Sequence, residues 1–127
     1  MKLLTITILT AFLLVTNASN AQSLEGIWKG TSICQIKNSP CHDETVVYHI
    51  TKNGDNSYQI IANKIINGKE DYMGTIIFTF DPKQSVLSSI DSAREVKWEF
   101  KVTDKAMHGT LMSKGKLFRI IDLKKDS

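Results

Sequence analysis

Turn-forming residues recur about every 8–12 residues along most of this chain, and this spacing constrains the fold more than any other feature. The signals include Asn53-Gly54, Asn67-Gly68, Asp81-Pro82 and Lys114-Gly115. The strongest of them is Asn67-Gly68, because both residues tolerate a positive φ and so suit a two-residue hairpin turn. A chain with turns at this spacing is expected to fold into short strands rather than long helices.

Eight segments between these turns are rich in Ile, Val, Thr, Tyr and Phe, the residues that favour strands. The alternation of apolar and polar residues is clearest in residues 94–102, where Val96, Trp98 and Phe100 fall on one face and charged residues on the other. Such a strand has one buried and one solvated face. The eight predicted strands are residues 25–34, 44–52, 57–66, 70–80, 85–90, 94–102, 106–112 and 116–124.

Short connections between successive strands favour an antiparallel meander. A meander of eight strands exposes its two edges unless the sheet closes on itself. The predicted fold is therefore all-β, an antiparallel eight-stranded up-and-down barrel. A β-sandwich is the alternative, since strand counts alone do not separate the two.

The first residues have the features of a cleaved secretory signal. Lys2 precedes an apolar run over residues 3–15, and the small residues Ser19 and Ala21 suit a peptidase site. A helix over that run is too short to span a bilayer core of about 30 Å. We therefore expect a signal peptide over residues 1–21 and one domain over residues 22–127. The mature protein would be exported, periplasmic or extracellular, and without a transmembrane anchor.

Two cysteines, Cys34 and Cys41, lie in the expected mature domain. In an oxidising compartment they are predicted to form a disulfide. The alternative is a metal site that also uses His42, but structural zinc sites combine four ligands in recognisable pairs. We therefore expect no metal site.

The formal charge of the whole chain is only +3. Proteins that bind nucleic acid usually carry a clustered basic face. Here Lys124-Lys125 is the one short basic run that stands out. No nucleic-acid partner is expected.

The most polar cluster is Cys41-His42-Asp43-Glu44, which has side chains suited to metal binding or acid–base chemistry. Neighbouring residues of an extended strand point to opposite faces, so these side chains are not expected to converge. The favoured interpretation is a solvated loop, and an enzyme built on this segment is the minor alternative. We predict a non-enzymatic protein with no catalytic residue and no cofactor.

The sequence Gly26-Ile27-Trp28 near the start of the first predicted strand resembles the signature of lipocalins, and the chain resembles small exported lipocalin-like β-barrel proteins of the calycin type. In lipocalins this tryptophan packs across the closed end of the barrel, and an arginine from the last strand covers it. The resemblance implies that Trp28 and Arg119 form such a structural pair.

The same resemblance implies non-covalent binding of a small apolar or amphipathic ligand, because barrel mouths commonly hold such pockets. Tyr48, Trp98 and Phe100 are the predicted lining residues. The alternative function is a packed-barrel module that binds or inhibits a protein of the cell envelope. An eight-stranded barrel can be filled by its own side chains, so both functions are compatible with the predicted fold.

Overall fold

The computed structural model describes residues 23–127, so the predicted signal peptide lies outside the described residues. The described part consists of eight strands, each close to a segment predicted from the sequence. Their bounds are β1 Gly26–Cys34, β2 Glu44–Gly54, β3 Ser57–Ile66, β4 Lys69–Asp81, β5 Val86–Asp91, β6 Val96–Thr103, β7 Ala106–Ser113 and β8 Lys116–Lys125. Residues 23–127 include no helix that is long and apolar enough to cross a membrane.

Every strand pairs antiparallel with the next, and the last strand pairs with the first. In the β1–β8 pairing, Trp28 lies opposite Lys125 and Cys34 lies opposite Arg119. The sheet is therefore a closed up-and-down barrel. The predicted fold is confirmed, and the sandwich alternative is wrong.

Tight turns with left-handed residues join the strands, as the sequence predicts. Asn67 and Gly68, between β3 and β4, have φ values of 51° and 75°. Lys114 and Gly115, between β7 and β8, have almost the same pair of values, 50° and 75°. Two successive residues with positive φ match the right-handed twist of the flanking strands, which is why these turns hold short hairpins.

The two ends of the barrel differ. We call the end that holds the start of β1 the lower end, and the end that holds the loop between β1 and β2 the upper end. Large apolar side chains fill the lower part: Trp28, Phe78 and Phe100 are fully buried. The indole Nε1 of Trp28 donates a hydrogen bond of 3.0 Å to the carbonyl oxygen of Leu24. The Leu24 residue is also buried. The segment before β1 therefore covers the lower end.

Arg119 does not cover Trp28, so this prediction is wrong. Arg119 lies opposite Cys34, six residues along β1 from Trp28, which is roughly 20 Å at about 3.3 Å per residue. Its guanidinium lies instead over the neighbouring Phe118 ring, 5.3 Å from the centroid. The cation opposite Trp28 is Lys125, whose Nζ donates to the carbonyl oxygen of Ser23.

The predicted disulfide between Cys34 and Cys41 is confirmed. It joins the upper end of β1 to the loop that leads into β2, with the two Cα atoms 5.9 Å apart. The backbone N–H of Cys34 also donates to Oδ1 of Asp43, at 2.9 Å. The disulfide thus closes the loop at the upper end of the barrel.

We expect the double variant Cys34→Ser/Cys41→Ser to unfold with a free energy about 2–3 kcal/mol below that of the oxidised protein. Without the disulfide, the short loop gains conformational entropy mainly in the unfolded chain, and this stabilises the unfolded state. Urea denaturation of both proteins measures the difference. Adding a reductant to the variant is the control, since it should change nothing further. Equal midpoints for the variant and the oxidised protein would contradict this expectation.

Candidate functional site

The upper part of the barrel contains a cavity of about 310 Å³. It exists because small residues occupy inward positions here, where the lower part has aromatic rings. Ser32, Ala62 and Gly74 are three such residues, on β1, β3 and β4. The apolar part of the wall comprises Val46, Ala62, Ile76, Trp98, Leu111 and Ile121.

A cluster of polar side chains, which we call the polar wall, forms the side of the cavity made by β8, β1 and β2. Its members are Arg119, Ser32, Glu44 and Tyr48. One guanidinium nitrogen of Arg119, Nη1, donates to the carbonyl oxygen and to Oγ of Ser32, each at 3.2 Å, and to the carbonyl oxygen of His42 at 3.0 Å. The other, Nη2, lies 3.6 Å from Oε1 of Glu44.

The ion pair of the polar wall is largely removed from solvent. The side chains of Arg119 and Glu44 are only 12% and 22% exposed. Charges in such a position interact more strongly than a surface pair, and each costs more to leave unpaired. The hydrogen bonds to Ser32 and His42 hold the guanidinium in one place, so the cavity has a fixed polar side.

Tyr48 places a neutral hydroxyl group in this polar wall. Burial raises the pKa of the hydroxyl, and the nearby Glu44 carboxylate raises it further, while Arg119 acts in the opposite direction. The phenol therefore stays protonated at neutral pH. A neutral phenol can both donate and accept a hydrogen bond.

The structure separates the three residues that were predicted to bind a ligand. Tyr48 and Trp98 line the cavity, but Phe100 does not. Phe100 is fully buried below it, with its ring centroid 6.0 Å from that of Phe78 and 6.3 Å from that of Tyr48. It follows Trp98 by two residues on a strand that descends the barrel, so it faces inward at a deeper level. Phe100 is a core residue and does not line this cavity.

Sequence reasoning missed Glu44 and Arg119 as cavity residues. The sequence pattern groups Glu44 with its polar neighbours in a solvated loop, and the family resemblance pairs Arg119 with Trp28. The alternation of inward and outward side chains along each strand could have identified both residues. Glu44 shares its face of β2 with the buried Val46 and Tyr48. In the same way, Arg119 shares its face of β8 with the buried Ile121.

The mouth of the cavity is at the side of the barrel. The exposed lining residues are Met73, Thr75 and Arg94, which lie on β4 and in the turn between β5 and β6. The lining includes no residue of the disulfide loop, residues 35–43. Four consecutive β4 residues, 73–76, line the cavity. A bulge at Met73 interrupts the alternation of faces, but Thr75 points outward between Gly74 and Ile76, so a cavity that contacts all three reaches the edge of the strand.

The polar segment around the second cysteine does not form a site of its own. Glu44 faces the cavity, Asp43 accepts a hydrogen bond from the backbone of Cys34, and the His42 side chain is exposed. Among residues 23–127, no group of three or more His, Cys, Asp or Glu side chains is placed to hold a metal ion. The geometry thus agrees with the expectation that these neighbours point apart.

A second, open groove of about 380 Å³ lies on the outer face of the barrel. Its polar residues include Lys29, Lys101 and Lys124 and the His108–Asp122 pair, in which Nδ1 and Oδ1 are 2.5 Å apart. That pair is more than half exposed. Water competes for exposed charges, so such pairs contribute little binding energy. The interior cavity, with buried polar and apolar walls, is the better candidate site.

No protein-family model and no curated protein matches this chain.

Proposed function

We propose that this protein is an exported, non-enzymatic binding protein that holds a small apolar or amphipathic molecule in the upper cavity. The observation that carries the proposal is the pairing of a fixed polar wall with apolar walls in one cavity. Binding sites for small molecules commonly combine mostly apolar linings with a few polar groups that set orientation. The lipocalin-like resemblance of the sequence implies the same kind of function.

The size of the cavity limits the ligand. Pockets that enclose small molecules span about 300–1,000 Å³. The present cavity, about 310 Å³, is at the lower limit. The part of the ligand that it encloses is therefore small.

The chemistry of the walls favours an amphipathic ligand over a purely apolar one. An apolar molecule would displace water from the Tyr48 hydroxyl and the Glu44–Arg119 pair, and it would offer these groups no hydrogen bond in return. Removing water from polar groups without replacing their hydrogen bonds costs free energy. A ligand with one polar end satisfies these groups and buries its apolar part against Trp98 and Ile76.

The proposal of export is supported by the signal-like residues 1–21 and by the disulfide. The alternative function, a packed-barrel module that binds an envelope protein, requires an interior filled by side chains. The cavity supports the small-molecule function over that alternative.

Native mass spectrometry of the mature protein, purified from the cells that produce it, tests the proposal. We expect an additional mass that is lost when the same sample is denatured. Ala62→Phe should abolish it, because the larger ring projects from the cavity wall into the space that the ligand occupies.

The matched control is Ile61→Phe. Ile61 directly precedes Ala62 on the same strand and therefore faces the outside of the barrel. This variant should retain the additional mass. A bare mass in every preparation, or an additional mass that Ala62→Phe retains, would overturn the proposal.

A further inference from the structure

The barrel wall has an opening between β4 and β5. These two strands pair only at their lower ends, where Thr79–Asp81 meet Val86–Ser88. Above that point β4 continues for ten residues, paired on one side with β3, whereas β5 soon ends at Asp91. Oδ1 of Asp91 accepts a hydrogen bond from the backbone N–H of Arg94, within the turn that joins β5 to β6. The cavity meets this opening along residues 73–76.

Apolar side chains border the opening on the outside. If the pairing of Thr79 with Ser88 continued upward, Ile77 would lie opposite Ile90. Both isoleucines point outward and are exposed, by 49% and 67%. Met73, also exposed, lies where β4 meets the cavity. We call Ile77 and Ile90 the lips.

The polar wall is on the opposite side of the barrel from the lips. In a closed ring of eight strands, the β8–β1 contact lies diametrically across from the β4–β5 contact. A path from the lips to Arg119 therefore leads from exposed apolar side chains, past Thr75 and Arg94 at the mouth, through the apolar cavity, to a fixed polar cluster. This order of polarity matches a molecule with one polar end and one extended apolar end.

We propose that the ligand is a linear amphiphile that enters sideways between β4 and β5. Its polar end lies at the polar wall, and its apolar tail extends out between the lips. The ligand is thus longer than the cavity, which explains how a space of about 310 Å³ serves a chain-like molecule. This inference rests on the proposed function, because it specifies the class of molecule that the same cavity binds.

Titration calorimetry with two series of probes tests the proposal: the straight-chain carboxylates from butanoate to dodecanoate, and the amines from butylamine to dodecylamine. We expect the affinity of at least one series to rise about fourfold for each added methylene, as buried methylenes do. The rise should continue less steeply to the longest chains, since the methylenes outside the cavity are only partly buried against the lips.

The double variant Ile77→Ser/Ile90→Ser should bind the shorter chains as the unmodified protein does, and gain little further affinity from the longest ones. Both residues are exposed, so the variant is expected to keep its fold. The matched control is Leu117→Ser. Leu117 is also an exposed large apolar residue, but it lies on β8, away from the opening. The control should show the full dependence on chain length.

The outcomes separate this inference from the function on which it rests. If neither series binds the unmodified protein, the linear-amphiphile inference is overturned, while the additional mass in native mass spectrometry decides the cavity function separately. If chains bind and the Ile77→Ser/Ile90→Ser variant keeps the full length dependence, the cavity function stands and the sideways route is overturned. An equal loss in Leu117→Ser would show that the tails bind the surface generally, which also overturns the route.

Discussion

Replacing Phe100 with alanine should lower the free energy of unfolding by about 3–5 kcal/mol, the usual cost of removing a fully buried aromatic ring. Phe100 is completely excluded from solvent and contacts the rings of Tyr48 and Phe78. Domains of this size are stable by about 5–15 kcal/mol in total, so the loss is large. Urea denaturation followed by circular dichroism measures it.

Trp98→Ala is the matched comparison, because Trp98 precedes Phe100 by two residues on the same face of β6. Trp98 is only partly buried and lines the cavity. Its replacement should cost less stability and weaken the binding of the probes used above. If Phe100→Ala left stability unchanged, or if Trp98→Ala cost more stability than Phe100→Ala, the assignment of the two rings to core and cavity would be wrong.

Gly30→Val should destabilise the barrel by about 3 kcal/mol or more, at the upper end of the cost of overpacking. A Cβ atom at Gly30 would overlap the carbonyl oxygen of Asp122 on β8. The overlapping atom belongs to the backbone, which cannot move aside as a flexible side chain can. To admit the valine, β1 and β8 must separate where the barrel closes, and their hydrogen bonds there would be lost.

Gly74→Ala is the control for this second prediction. A Cβ at Gly74 has no neighbour within 4 Å, and Gly74 is not among the residues with a positive φ. Alanine there should leave stability within about 0.5 kcal/mol or raise it slightly, since it restricts the unfolded chain. Thermal unfolding of both variants makes the comparison. Similar melting temperatures for the two would mean that Gly30 is not a site of close approach.

The strands could be predicted from the sequence because their signals are local. Positive-φ residues at Asn67-Gly68 and alternation around Trp98 depend only on neighbours in the chain. Closure of the barrel depends instead on the meeting of β1 with β8, which are separated by most of the domain. No local pattern encodes that contact, which is why the sequence alone is also compatible with a sandwich.

The candidate site could be predicted only in part, for a related reason. Alternation shows that Trp98 and Phe100 face inward, but it does not show how deep each lies. Depth follows from strand register, which places Trp98 opposite Leu111 and Phe100 opposite Gly109. Register also explains the error with Arg119. In an antiparallel pair, a residue near the start of β8 meets the end of β1, and therefore lies far from Trp28.

The pairing of the first strand with the last also fixes the order in which the domain is completed. Until β8 has been synthesised, β1 has a partner on one side only, and no shorter N-terminal fragment can close the ring. A chain that emerges from a ribosome or a membrane channel must therefore wait for its final strand before the barrel can form. Most of this domain must leave such a tunnel as an open sheet or an unfolded chain, because β8 has to emerge before it can pair with β1 and close the ring.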